Sequence, residues 1–313
     1  MKLGTRASAL ASTQARWVAQ ELRALGVDVE IVHVQTEGDR SSAPLTQIGG
    51  NGVFASALRT ALRKGEIDCA VHSLKDLPVA PEEGLAIVAI PAREDPRDVV
   101  ISANDVRLED LPRGSTVGTG SPRRTEQLAT LAAHVTPVDI RGNVGTRIDK
   151  VTRGDVSAIV LAAAGLSRLG RMDEVTQVLE LDAMLPAAGQ AALAIECRDV
   201  QGRPASVETG GHERDDRIYA ACAALDDPVT RACVSAERAM LATLEAGCTA
   251  PVGAYARPLG QEYHLTGWAA GSQASARASK TGEDPILLGR QVAEVLLNQI
   301  SPESSILKME RQS

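Results

Sequence analysis

The segment MKLGTRASALASTQARWVAQELRALGVDVEI, residues 1–31, sets the fold class. Residues 1–5 read as a short strand that turns at Arg6-Ala7-Ser8 into a helix. Ala11, Ala15, Val18, Leu22 and Leu25 recur at helical spacing on one face, and Gly26 ends the helix. Val27, Val29 and Ile31 then alternate with Asp28 and Glu30, the period of a half-buried strand. Strand, helix and strand in this order open a parallel α/β unit.

Outward from that unit, Glu37 to Gly52 is polar, long and without periodicity, and it reads as a mobile loop. Its Gly49-Gly50-Asn51-Gly52 has neither the lysine of a phosphate-binding loop nor the spacing of a dinucleotide fingerprint. Phe54, Leu58, Ala61 and Leu62 predict a helix ending at Gly65, followed by a strand over Ile67–Val71. That strand delivers His72-Ser73-Leu74-Lys75-Asp76-Leu77-Pro78 at its carboxyl end, where open α/β sheets bind ligands. Asp76 is a candidate acid-base or cation-stabilising group, with a solvated Lys75-Asp76 pair in a turn as the alternative. His72 reads as a hydrogen-bonded strand-end residue rather than a catalyst.

Arg93-Glu94-Asp95-Pro96-Arg97-Asp98 breaks the pattern with five charges and a proline, marking a crossover into a second α/β lobe. There Ser115–Gly118 predicts a strand. Thr119-Gly120-Ser121-Pro122-Arg123-Arg124 opens a helix with Ser121 at N-cap and Pro122 at N1. A helix start favours acidic residues, and each misplaced cation costs on the order of 0.3–1 kcal/mol unless an anion offsets it. Arg123 and Arg124 in that first turn therefore predict a carboxylate or phosphate site. Arg141 and Arg147 flank the next helix start, after a strand over Val138–Ile140, and Arg168 stands at another junction after a strand over Val156–Leu161. With Arg6, this many junction arginines predict a cleft lined for a polyanion.

Pro186–Gln190 reads as the return crossover, and Ala192–Glu196 as a strand rejoining the first sheet. Residues 199–214 read as an exposed insertion. A last domain begins with a helix capped by Asp227 and Pro228, with Val229, Cys233, Ala236, Met240 and Leu244 on its face and Gly247 closing it. Cys248 follows on a Gly-Cys-x-x-Pro turn, better placed to carry a group than a packing cysteine such as Cys233, although a half-buried loop residue fits the spacing too. A hairpin (251–256 and 264–269), a helix from Asp284-Pro285 and a frayed tail from Lys308 complete the chain. The expected domains are 1–92 with 191–226, then 98–186, then 227–313.

Composition bounds the function. The chain has 313 residues, 44% hydrophobic but 2% aromatic, so its cores are filled by Ala, Val, Leu and Ile and its one phenylalanine, Phe54, stands out. With 33 basic and 40 acidic residues the formal charge is −7, which argues against general nucleic-acid binding. Five cysteines, scattered and without a C-x-x-C pair, indicate neither a disulfide framework nor a zinc site, and a reducing cytoplasm fits them. The start at Met1 has no apolar leader and no run of eighteen apolar residues follows, so neither export nor a membrane span is expected.

Seven stretches in register carry a resemblance: Gly4–Ser8, His72–Pro78, Arg93–Asp98, Gly118–Arg124, Arg141–Val144, Ala163–Leu166 and Gly247-Cys248. Together the chain resembles the porphobilinogen deaminase (hydroxymethylbilane synthase) family over nearly its whole length. The resemblance implies two clamshell lobes like those of type II periplasmic binding proteins plus a small C-terminal α+β domain. It implies a monomeric transferase of tetrapyrrole and heme biosynthesis that deaminates porphobilinogen and joins four units head to tail on a primer, releasing hydroxymethylbilane and ammonia. The primer is a dipyrromethane cofactor on a thioether, which falls on Cys248. Asp76 takes the catalytic role with Lys75 beside it. Lys75, Asp76, Thr119, Ser121, Arg123, Arg124 and Arg141 are implied to bind the cofactor. Arg6, Ser8, Arg147, Arg168 and Gln190 are implied for substrate, and Phe54 is grouped with them. Each substrate unit brings an acetate and a propionate, which the arginines would neutralise. The chain departs from the family pattern at Asn51, Ser56-Ala57, Ser167 and Ala191, the last replacing a glycine. The rival readings are a non-enzymatic anion-binding clamshell protein, which needs neither Asp76 nor Cys248, and a phosphate-transferring enzyme, against which the missing phosphate-loop lysine speaks.

Overall fold

A computed structural model describes residues 1–35, 53–200, 212–247, 250–271 and 274–300. The 37–52 loop reading, Asn51, Cys248, most of the 199–214 insertion and the tail lie outside the described residues.

In chain order the first elements are β1 (Lys2–Arg6), α1 (Ala9–Ala24), β2 (Glu30–Val34), α2 (Val53–Arg63), β3 (Cys69–Ser73) and β4 (Leu85–Ala89). Next come β5 (Asp98–Ser102), β6 (Thr116–Gly118), α3 (Pro122–Leu131), β7 (Thr136–Val138), α4 (Val144–Thr152), β8 (Ala158–Ala162), α5 (Ala163–Arg168) and β9 (Gln177–Val178). Then follow β10 (Leu193–Arg198), α6 (His212–Ala223), α7 (Pro228–Thr243), β11 (Val252–Leu259), β12 (Glu262–Ala270), β13 (Ser275–Gly282) and α8 (Pro285–Gln299). Contacts divide the chain into two compact units, Met1–Arg93 with Ala192–Arg231, and Glu94–Ala191 with Ala232–Ser313.

The first unit is a five-stranded sheet in the order β2-β1-β3-β10-β4. β1 runs parallel to β2 and β3, while β10 returns antiparallel between β3 and β4, so the strand read at 192–196 does rejoin this sheet. Ser8 opens α1 by accepting the Ala11 N–H at 3.3 Å. Val18, Ala19 and Leu22 are buried, but Leu25 is 53% exposed because the helix has already ended and Gly26 turns the chain at φ 81°. The alternating residues 27–31 start β2 three residues later than their pattern suggested. Pairing can begin only opposite β1, with Glu30 N–H donating to Met1 O at 2.9 Å. Gly4 packs closely under Ile67 and Leu58, since a Cβ there would lie 2.3 Å from Ile67 Cδ1 and force that side chain to shift. Leu3, Leu22, Leu58, Leu62, Ile67 and Ile195 are fully buried, each stabilising by roughly 1.5–3 kcal/mol.

The second unit carries a sheet of the same plan, β7-β6-β8-β5-β9, in which β6 is parallel to β7 and β8 and β5 is antiparallel to β8 and β9. β5 is buried at every position, and its sequence, Asp-Val-Val-Ile-Ser, was hidden by the charge run before it. The same unit holds a three-stranded antiparallel sheet, β11-β12-β13, packed on α7 and α8 through Met240, Leu265, Val292 and Leu296. β13 is a correction to the expected hairpin. Its buried residues are Ala276 and Ala278 among serine, arginine, lysine and threonine, too small and polar to register as a strand. Gly289 lets α8 approach α7, since a Cβ would stand 2.3 Å from Ala236 O. α7 ends earlier than Gly247. Glu245 takes the left-handed conformation at φ 51° and Ala246 N–H donates to Leu241 O at 3.0 Å, a Schellman-type close, while Val229 is 48% exposed rather than on the buried face.

Candidate active site

In the first unit, parallel β1 and β3 bring Arg6 and His72-Ser73 to one edge of the sheet, and a short 3₁₀ turn, Leu74–Asp76, follows β3. A pocket there is lined by Arg6, Gln14, His72, Ser73 and Asp76. Asp76 and Lys75 are half-buried. Gln14 Nε2 donates to Ser73 Oγ at 3.1 Å and fixes that wall. Behind His72 lies a buried charge network. His72 Nε2 stands 3.2 Å from Glu196 Oε2, and Arg59 donates to Glu196 through Nε at 3.1 and 3.2 Å and through Nη2 at 2.9 Å. Arg59 Nη1 also reaches Glu82 at 2.8 Å. Burial alone would raise the Glu196 carboxyl, but His72 and Arg59 hold it below the usual carboxylate range. Ser8 commits its hydroxyl to the α1 cap, and the Phe54 side chain lies outside the description.

In the second unit, Thr119 and Ser121 follow the carboxyl end of β6 and Arg141 that of β7, whereas Arg168 stands in the last turn of α5 rather than at the strand-to-helix junction expected for it. Thr119 is buried and its Oγ1 accepts the Ser121 N–H at 3.2 Å, while Ser121 starts α3 without a cap bond from its own hydroxyl. Arg123 and Arg124 are only 3% and 6% exposed. The anion that the helix start requires is inside the chain. Asp98 Oδ2 accepts Arg123 Nη2 and Asp98 Oδ1 accepts Arg124 Nη2, each at 2.8 Å. Although burial works against its charge, Asp98 is held well below the usual carboxylate range by these guanidiniums and by Gln190. Gln190 is also buried, with Nε2 donating to Pro96 O at 2.7 Å and Asp98 Oδ1 at 2.8 Å. Arg168 Nη2 donates to Ala191 O at 2.5 Å.

Arg141 and Arg147 are half-buried. Arg141 Nε donates to Asp139 Oδ2 at 3.2 Å and Arg147 Nε to Gly142 O at 2.9 Å, and among the described residues their Nη atoms have no partner. Burial, then Arg124, then Arg141 push the Arg147 guanidinium below its ordinary range, with Asp139 offsetting part. Positive charge is thus in excess here, and planar forked donors suit carboxylates.

Comparison with known proteins identifies the family. A family profile described as porphobilinogen deaminase, dipyrromethane cofactor binding domain, matches residues 1–204, and one for the porphobilinogen deaminase C-terminal domain matches residues 231–298. The chain belongs to the porphobilinogen deaminase family. Similar relatives are porphobilinogen deaminase 1 of Streptomyces coelicolor, 53% identical over 82% of this chain and 77% of that one, and porphobilinogen deaminase of Thermobifida fusca, 52% identical over 82% and 76%. That of Mycobacterium tuberculosis is 51% identical over 82% and 78%. Among solved structures, a periplasmic substrate-binding protein of an ABC transporter from Coxiella burnetii has TM-score 0.44 at 13% identity, covering 76% of this chain and 96% of that one. The BvgS periplasmic VFT2 domain of Bordetella pertussis has TM-score 0.39 at 17% identity, covering 72% and 86%.

The matched family profile is that of a dipyrromethane cofactor binding domain, and the guanidinium donors of Arg141 and Arg147 would suit a cofactor that carries carboxylates. Among the described residues no helix is long and apolar enough to cross a membrane. Sequence reading missed Asp98, Gln14 and the Arg59–Glu196 pair. Each carried a signal, being a polar residue set in an apolar pattern: Gln14 beside Ala15 and Val18, Asp98 before Val99-Val100-Ile101, and Glu196 after Leu193-Ala194-Ile195.

Proposed function

We propose that this chain deaminates porphobilinogen, losing one ammonia per unit, joins four units head to tail on a dipyrromethane held by Cys248, and releases them as hydroxymethylbilane when water cleaves the bond to the dipyrromethane. Membership of the porphobilinogen deaminase family, at 51–53% identity to named members, carries this reading. The bound dipyrromethane supplies the pyrrole position to which substrate is joined. Asp76, at the mouth of β3 in the pocket with Arg6, faces the substrate's pyrrole N–H and stabilises the positive charge that develops on the substrate as ammonia leaves. Lys75 flanks it. Arg141 and Arg147 bind acetate and propionate arms through their unpaired Nη groups, and Arg124, buried behind them, adds to the attracting field. Arg6 binds a carboxylate at the first unit's pocket. The sequence division into 1–92 with 191–226, 98–186 and 227–313 is retained as the proposed domain organisation.

Intact-protein mass spectrometry tests the anchor: the purified chain exceeds its sequence mass by one dipyrromethane and Cys248→Ser does not. An unmodified parent that binds porphobilinogen without turnover would instead support the anion-binding clamshell. Asp76→Ala is expected to keep the added mass and lose ammonia release; retained release removes Asp76 from the chemistry.

A further inference from the structure

Asp98 is a single buried carboxylate that three side chains share. It is fully buried on β5, and its two oxygens accept one hydrogen bond each from Arg123 and Arg124 and one from Gln190, all at 2.8 Å. Each partner is pinned at a second point. Arg123 Nη1 donates to Leu185 O at 2.6 Å, Arg124 Nη1 to Val160 O at 3.0 Å and Gln190 Nε2 to Pro96 O at 2.7 Å. A counter-charge alone needs only proximity. Here the carboxylate meets two guanidiniums and an amide that each also bond a backbone carbonyl, which sets where each group lies as well as balancing charge.

What it sets bears on ligand binding. Arg124 is one of the cations acting on the half-buried Arg147, so its place contributes to the field there. Gln190 precedes Ala191, a non-glycine residue at φ 73° whose carbonyl is held by Arg168. The chain leaves this unit directly after Ala191. Asp98 therefore registers the arginine cluster against the segment on which Arg168 is anchored.

We propose that Asp98 is a positioning residue for the binding of pyrrole carboxylates, fixing Arg123 and Arg124 and, through Gln190, the 189–191 segment in one arrangement. This deepens the proposed function and rests on it. The decisive variant is Asp98→Glu, which keeps the charge and moves the carboxylate by one methylene. In the full chain as purified, the expected result is a native circular dichroism spectrum, a smaller cofactor-bearing fraction by intact mass, and a KM for porphobilinogen raised by about tenfold, one charge-assisted hydrogen bond in binding, with kcat changed much less. Gln190→Leu keeps every charge and removes the amide bond to Asp98. It is expected to raise KM by roughly threefold, the weaker loss of a bond from a neutral donor. A folded Asp98→Glu protein with parental loading and KM makes Asp98 a counter-charge only and overturns the proposal. If Asp98→Glu does not fold, parental loading and KM in Gln190→Leu overturn it. A parent that carries no added mass and consumes no porphobilinogen refutes the functional reading itself, and this proposal with it.

Discussion

Replacing Glu196 by Gln isolates what a buried charge contributes behind the Asp76 pocket. The side chain keeps its shape, so no cavity opens, but Arg59 loses the carboxylate that accepts its Nε and Nη2 hydrogen bonds at 2.9–3.2 Å, and His72 loses its charged neighbour at 3.2 Å. Glu196 is 1% and Arg59 6% exposed, so water cannot replace the lost partner. Removing one member of a buried pair costs roughly 3–5 kcal/mol. Arg59 retains Glu82 at 2.8 Å, a residue about one-third exposed, which places the cost near the lower end, about 3 kcal/mol. With a urea dependence of about 2 kcal/mol per molar, the unfolding midpoint falls by about 1.5 M. Urea titration of Glu196→Gln followed by far-ultraviolet circular dichroism measures this directly. A midpoint within about 0.3 M of the parent would show that the network does not stabilise the first unit and would refute the reasoning.

Acid is expected to weaken the fold through the same chemistry. Asp98 and Glu196 have native pKa values held below their unfolded ones, so the unfolded chain takes up protons first as pH falls. Their contribution is complete above about pH 5 and declines from about pH 4 downward, and thermal melts that stay flat from neutral pH to about pH 3 would contradict it. Arg147→Gln is expected to raise the KM for porphobilinogen by about tenfold while leaving the melting temperature unchanged or slightly higher, because it removes a half-buried cation crowded by Arg124 and Arg141. An unchanged KM would return Arg147 to a surface role.

Local chemistry made much of this protein legible in its sequence. Helical and alternating periods located α1, α2 and the strands around them, because each element must turn its apolar residues to a core that the pattern itself encodes. Ser8, Asn143 and Asp284 all accept the backbone bonds that begin a helix. The arginines at helix starts were visible as a violation of dipole preference, and Asp76 was visible as a carboxylate at the carboxyl end of a strand. Only the tertiary structure showed which arginines are buried against a carboxylate of the chain itself. Asp98 lies 25 and 26 residues from Arg123 and Arg124, and Glu196 lies 137 from Arg59, so no local pattern shows that these charges neutralise one another inside the fold. The extent of β2, the presence of β5 and β13 and the end of α7 were settled in the same way. A strand exists only where a neighbour offers its backbone, and a buried charge is stable only where its counter-charge is brought to it.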